Sequence, residues 1–171
     1  MHLNFFYALV FLSSLMFSQL SLATTVIVED GQTVTTSSSD TISLEDSSSN
    51  PAGIYVSGKS GVNINNSFDI NIISSGTVDP YGIGVLKLGG VSSTVNSMIN
   101  TGNINSYTSG TVLGDGNAYG IMNEQSTITS INNSGNILGY SSGYGTARGI
   151  NNTNGIITTL TNSGAITGTG T

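Results

Sequence analysis

The chain has no cysteine and no tryptophan, and only two prolines. Without cysteine there is no disulfide framework and no thiolate metal site. Charge is nearly as scarce: 7% of the 171 residues are Asp, Glu, Lys or Arg, against roughly a quarter in an ordinary soluble protein. Lys59, Lys87 and Arg148 are the only strong cations and the formal net charge is −6. So few positive groups cannot form the stripe that tracks phosphates, which excludes nucleic acid as a partner. The sole histidine is His2, inside a segment that reads as cleaved. No Ser-His-Asp, Cys-His or zinc set can then be assembled. Ser, Thr and Asn must therefore provide the solubility that charge does not. The combination of low charge with many β-branched residues also argues against ordinary disorder, which favours high charge and few such residues.

What is present is repetition. Gly120-Ile121-Met122-Asn123 followed by Ile128 to Gly139 is matched by Gly149-Ile150-Asn151-Asn152 followed by Ile157 to Gly168, a period of 29 residues. A fixed period of this size signals a solenoid or an array. The Gly-Ile element also occurs at Gly53-Ile54 and Gly82-Ile83. The interval from Gly82 to Gly120 is nine residues longer than the others, placing an inserted loop around Ser106 to Gly116. The second element, Asn-Ser/Thr-Gly-x-Ile, occurs at Asn100 to Ile104, Asn133 to Ile137 and Asn162 to Ile166, with a degenerate copy at Ser74 to Val78. In the first copy of the motif Asp69 falls where later copies carry Val95, Ile128 and Ile157.

Ahead of the repeats, Met1 to Ala23 reads as a secretory signal: an apolar run from Phe5, then Ser21-Leu22-Ala23 with small residues at −3 and −1 of a cut before Thr24. A signal anchor is the alternative, but the apolar stretch is short and broken by serines. Residues 24–52 hold strand-like Thr25 to Val28 and Thr33 to Thr35 around a Glu29-Asp30-Gly31 turn. They also hold five of the nine acidic residues, Glu29, Asp30, Asp40, Glu45 and Asp46. This segment is expected to be an N-terminal cap plus a first coil, its carboxylates a solvated face that discourages edge pairing. Residues 53–171 are the repeats proper.

Glycine and runs of β-branched residues disfavour helix and favour short strands joined by Gly/Asn/Ser turns. The expected fold is all-β: a single-stranded parallel β-helix of about four to five coils, rising about 4.8 Å per coil. Ile121/Ile150, Ile128/Ile157, Ile131/Leu160 and Ile137/Ile166 would stack as aliphatic ladders, and Asn133/Asn162 and Asn123/Asn152 as amide ladders. Gly135 and Gly164 suit corners at positive φ.

Gly-Ile-x-Asn, a short Ile/Thr strand, then Asn-Ser-Gly-x-Ile-x-Gly resembles the passenger repeats of bacterial autotransporters, the type V secretion proteins. The opening Thr24 to Val34 looks like the start of such passengers, and the resemblance covers most of residues 24–171. It implies a right-handed β-helix displayed outside a Gram-negative cell, often for adhesion. Such proteins end in an outer-membrane barrel, which this chain does not supply. It reads as the front of a longer passenger or a truncated relic, with an open C-terminal end inviting fraying or self-association.

Chemistry other than surface presentation is weakly signalled. Asp69, Asp79, Asp115 and Glu124 recur at no common position of the repeat, so no catalytic, metal or cofactor residue is assigned and no enzyme activity is expected. The Gly114-Asp115-Gly116-Asn117 turn lacks the nonapeptide repeat of calcium-binding β-helices. Tyr81, Tyr119, Tyr140 and Tyr144 could meet sugars or stack between coils, and Thr127, Thr129, Thr158, Thr159 and Thr161 could form an ordered hydroxyl array or simply face solvent. The expected function is an exported interaction segment acting by adhesion to a host or cell-surface glycan or protein. A secreted carbohydrate-active β-helix enzyme and a nonfunctional fragment are the alternatives.

Overall fold

The computed structural model describes residues 25–36, 42–45, 51–75, 77–109 and 116–170, with backbone alone for 42–45. The secretory signal read over Met1 to Ala23, together with Asp40, Asp46, Gly114 and Asp115, lies outside the described residues. Among those residues every regular element is a strand.

Three strands make one coil. The first coil is β1 (Val26–Ile27), β2 (Thr33–Thr35) and β3 (Ile42–Glu45); the second is β4 (Ala52–Ser57), β5 (Val62–Asn66) and β6 (Ile70–Ser74). The third is β7 (Tyr81–Leu86), β8 (Thr94–Asn100) and β9 (Asn103–Thr108). The fourth is β10 (Ala118–Glu124), β11 (Thr127–Asn133) and β12 (Asn136–Ser141), and the fifth is β13 (Ala147–Thr153), β14 (Ile156–Asn162) and β15 (Ala165–Gly170). Equivalent strands pair in parallel with the coil before and after. The result is three five-stranded sheets: sheet A from β1, β4, β7, β10 and β13, sheet B from β2, β5, β8, β11 and β14, and sheet C from β3, β6, β9, β12 and β15. The chain is a parallel β-solenoid whose coils stack through four steps.

The register follows the repeat. Ile54, Ile83, Ile121 and Ile150 pair in succession in sheet A. Val95, Ile128 and Ile157 do so in sheet B, as do Met98, Ile131 and Leu160. Ile70, Ile104, Ile137 and Ile166 line up in sheet C. Most of these side chains are fully buried in one continuous core, and each contributes on the order of 1.5–3 kcal/mol by leaving water.

The two halves of the motif fit into one another across this core. A Cβ on Gly53, Gly82, Gly120 or Gly149 would run into the γ-methyl of Ile70, Ile104, Ile137 or Ile166, the sheet C isoleucine of the same coil. The glycine of Gly-Ile is therefore the space into which the isoleucine of Asn-Ser-Gly-x-Ile packs.

Four sequence expectations are corrected by the register. First, the degenerate copy of the second element is Asn66 to Ile70, since Asn66 pairs with Asn100 and Ile70 with Ile104. Ser74, proposed for that role, instead pairs with Thr108 at the end of β6. Second, Val62 occupies the place of Val95 and Ile128; Asp69 lies one residue before Ile70, beside Asn103. Third, the nine extra residues of the third coil are divided between two corners. Leu86 pairs with Glu124 and Thr94 with Thr127, so five of them lie in the loop from Lys87 to Ser93. The other four lie between Thr108 and Tyr119. Fourth, Gly135 and Gly164 do not have positive φ. They are needed because a Cβ on Gly135 would strike the carbonyl oxygen of Gly102, and one on Gly164 that of Gly135. The corners nest backbone on backbone.

An amide column runs inside the corner between sheets B and C. Asn66 Nδ2 donates to Asn100 Oδ1 at 2.7 Å, Asn100 to Asn133 at 2.6 Å and Asn133 to Asn162 at 2.7 Å. Each Nδ2 also donates to the carbonyl two residues on, of Phe68, Gly102, Gly135 or Gly164. Thr36 Oγ1 starts the column by donating to Asn66 Oδ1 at 2.7 Å. A shorter pair, Asn123 to Asn152 at 2.7 Å, stands at the end of sheet A. Both Asn pairs expected from the repeat are thus hydrogen-bonded.

Candidate functional site

With the core filled by aliphatic side chains, any site must lie on an outer face or a corner. The three outer faces differ in kind.

Sheet A carries an enclosed aromatic cluster. Tyr81 and Tyr119 stack with ring centroids 6.0 Å apart, and Leu86, Met122 and Tyr55 pack beside them. The two tyrosines are only 5% and 6% exposed, so their rings serve coil-to-coil stacking and offer no open face to a sugar. Burial, with the Asp79 and Glu124 carboxylates nearby, pushes the Tyr81 hydroxyl well above its ordinary range. Burial raises Tyr119 as well, Asp79 adding to the effect and Arg148 opposing it. The Arg148 guanidinium carbon sits 6.0 Å from the Tyr119 ring centroid, close enough for a cation–π contact. Asp79 Oδ1 also accepts from the Asn117 backbone at 2.6 Å. Asp79 and Glu124, scattered in sequence, are thus brought to one side of the solenoid with Arg148.

Sheet B is a mixed face on which hydroxyls and amides alternate with exposed Ile99 and Ile156. Thr159 stacks on Ser130 and Thr161 on Asn132, while Thr127 lies between Thr94 and Ile156. The columns mix Ser, Asn, Thr and Ile, so no uninterrupted threonine array forms from the residues that suggested one.

Sheet C presents an open lattice. Along β6, β9 and β12 the core residues Ile70, Ile104 and Ile137 alternate with outward positions, giving rows across three coils. In the first row Asn136 Nδ2 donates to Asn103 Oδ1 at 2.9 Å and Asn103 Nδ2 to Asp69 Oδ1 at 2.8 Å. Asp69 can only accept when ionised, and this fixes the direction of the row. In the second, Asn105 donates to Asn71 at 2.8 Å and Leu138 pairs with Asn105. In the third, Ile73, Tyr107 and Tyr140 are register partners. The Tyr107 and Tyr140 rings are 5.9 Å apart and inclined by 54°. Both tyrosines are only partly buried.

The sequence singled out Tyr140 but not Tyr107. The missing signal was the inserted residues: they shift Tyr107 out of the simple period, and only the strand pairing brings it under Tyr140. Tyr144 lies apart on an exposed loop. Glu29 and Asp30 are exposed, as a solvated face requires, and they also tie the first turn to the next coil: Glu29 pairs with Lys59, and Asp30 Oδ1 accepts from the Ser60 backbone at 2.6 Å and its hydroxyl at 3.2 Å. That backbone hydrogen bond holds the Asp30 carboxyl below its ordinary value.

A structured arm leaves the solenoid at Lys87 to Ser93. Leu88 and Val91 exchange two backbone hydrogen bonds, 3.0 and 2.9 Å, around Gly89 and Gly90, both at positive φ. This is the geometry of a two-residue hairpin turn. Its base is fixed by buried Ser93, whose hydroxyl donates to the Leu86 carbonyl at 2.6 Å. Its tip exposes Leu88 at 61% and Val91 at 57%. No protein family, curated protein or solved structure matches the chain.

Proposed function

We propose that the chain is an exported, surface-presented interaction segment of an autotransporter-like passenger, working by adhesion through its outer faces. The observation that supports this most is the division of labour between faces. One aliphatic core holds three sheets in fixed register, and sheet C turns outward a lattice of amides, a carboxylate and two partly open tyrosines. The passenger-like repeats and the secretory character of Met1 to Ala23 give the context for display. Expressed as the full chain in a Gram-negative host, the protein is expected to leave the cytoplasm and to begin at Thr24, read by N-terminal sequencing of fractionated cells. Retention in the cytoplasm at full length would contradict the export half of the proposal.

A second function, secreted carbohydrate-active enzyme, draws on the gathering of Asp79, Glu124 and Arg148 around Tyr81 and Tyr119. Incubation of the purified chain with pectin-like polymers separates the two. Turnover that disappears in Asp79→Asn or Glu124→Gln would replace adhesion with catalysis; no turnover is expected.

A further inference from the structure

We infer that the outer face of sheet C is a binding platform for an uncharged polysaccharide. The proposal rests on the adhesive function above and names its site and ligand class. The face has two chemically different strips running along the solenoid axis. One is the Asp69–Asn103–Asn136 row, in which each amide has one N–H committed to its neighbour. Among the described residues, the second N–H of each amide, the second oxygen of Asp69 and the Asn136 carbonyl have no protein partner, and Asp69 and Asn136 are exposed. These are alternating donors and acceptors, the complement of sugar hydroxyls. The other strip is Tyr107 and Tyr140, whose partly open rings suit the C–H face of a pyranose.

Four residues of strand separate the strips, on the order of 13 Å, and neighbouring coils lie about 4.8 Å apart. Three coils therefore give a patch of roughly 13 by 10 Å, far below the ~800 Å² that each partner contributes to a standard protein–protein interface. A patch of that size holds a few sugar units. Charge selects further. Lys59 and Lys87 lie in loops beyond β4 and β7, and Arg148 lies on β13 of sheet A, so the platform has no cation of its own among the described residues. Asp69 adds negative charge. An acidic polymer would meet repulsion without compensation, and a neutral one would not.

The test is affinity electrophoresis of the full chain through gels containing a β-glucan, a mannan, a galactan or soluble chitin oligosaccharides, with polygalacturonate as the acidic counterpart. Retardation by at least one neutral polymer and none by polygalacturonate is expected. Tyr107→Ala and Tyr140→Ala should each weaken retardation about tenfold, the cost of truncating a central interface aromatic. Tyr107→Phe should retain binding, because the ring rather than the hydroxyl makes the contact. Thr159→Ala on sheet B should change nothing, and circular dichroism should show the same β-spectrum for every variant. Absence of retardation by all the neutral polymers would overturn the proposal, as would equal retardation by polygalacturonate. Retardation unchanged in the Tyr107→Ala/Tyr140→Ala variant would overturn the platform while leaving adhesion by another face standing. Cytoplasmic retention or polymer turnover would instead strike at the function on which the proposal rests.

Discussion

At Gly135 the backbone of one corner rests on the carbonyl of Gly102 in the corner below. A methyl group there cannot be absorbed by rotating a side chain, since what it meets is main chain. Gly135→Ala is expected to destabilise the fold by about 1–3 kcal/mol through overpacking, measured as a lowered midpoint in urea. Asn100, buried between Asn66 and Asn133, is the second sensitive residue. Asn100→Ala leaves the Asn133 carbonyl and the Asn66 amide without their partner, at a cost of about 1–3 kcal/mol. Asn103→Ala, in an outer row open to water, should stay within about 0.5 kcal/mol. The same denaturation series compares them, and equal losses would mean that the inner column has no special weight. Asn100 is the recurring Asn that opens the second element, whereas Asn103 is its variable position, Ala165 in the last copy; the strand alternation places the first inside and the second outside.

Elements of the solenoid were legible where the period was intact. The pairs from Ile121/Ile150 to Ile137/Ile166 follow from counting 29 residues, because identical neighbours stack best when nothing is inserted. In the third coil, insertions at two corners move the count without disturbing the strands; in the second, Asn66 keeps its 13-residue distance from Gly53, but Phe68 replaces the motif glycine and hides the copy. Sheet pairing ignores loop length, so the core register survived what the numbering did not. The arm from Lys87 to Ser93 is such an insertion, and replacing it with a two-residue link like Gln125-Ser126 should preserve the β-spectrum and most of the stability. A large loss would show that the arm helps hold sheet A. At the first turn the Asp30–Ser60 tie is sensitive to acid. Its folded-state pKa is lowered from 3.8, so the tie is complete above that value and is lost as the pH falls through the folded-state value. The protection factor of the Ser60 amide, its exchange measured against the intrinsic rate at each pH, should fall there, and Asp30→Asn should remove that step.

For the whole molecule, protection is expected to vary along the axis. The central isoleucines Ile83 and Ile121 are fully buried, whereas Ile150, Ile157 and Ile166 of the fifth coil are only partly covered and Leu160 is 48% exposed. Because stability in a stacked array is a sum of neighbour terms, amides of β8 and β9 should exchange far more slowly than those of β14 and β15. Uniform protection through Ile166 would show that the fifth coil is held by something besides the fourth. The candidate site was less legible than the fold for a related reason. A fold repeats and can be counted, but the sheet C platform draws Asp69, Tyr107 and Tyr140 from three unlike coils.

The inner amide column also has an arrow. Asn66, Asn100 and Asn133 each hand a proton donor to the coil that follows, and a threonine hydroxyl closes the opposite end. A coil turned upside down would set donor against donor, so the column rejects inverted arrivals that the greasy interior alone would accept. Whatever is grafted above Asn162 must bring an acceptor at that corner, and a designed extension that brings leucine instead should sit out of register or not at all.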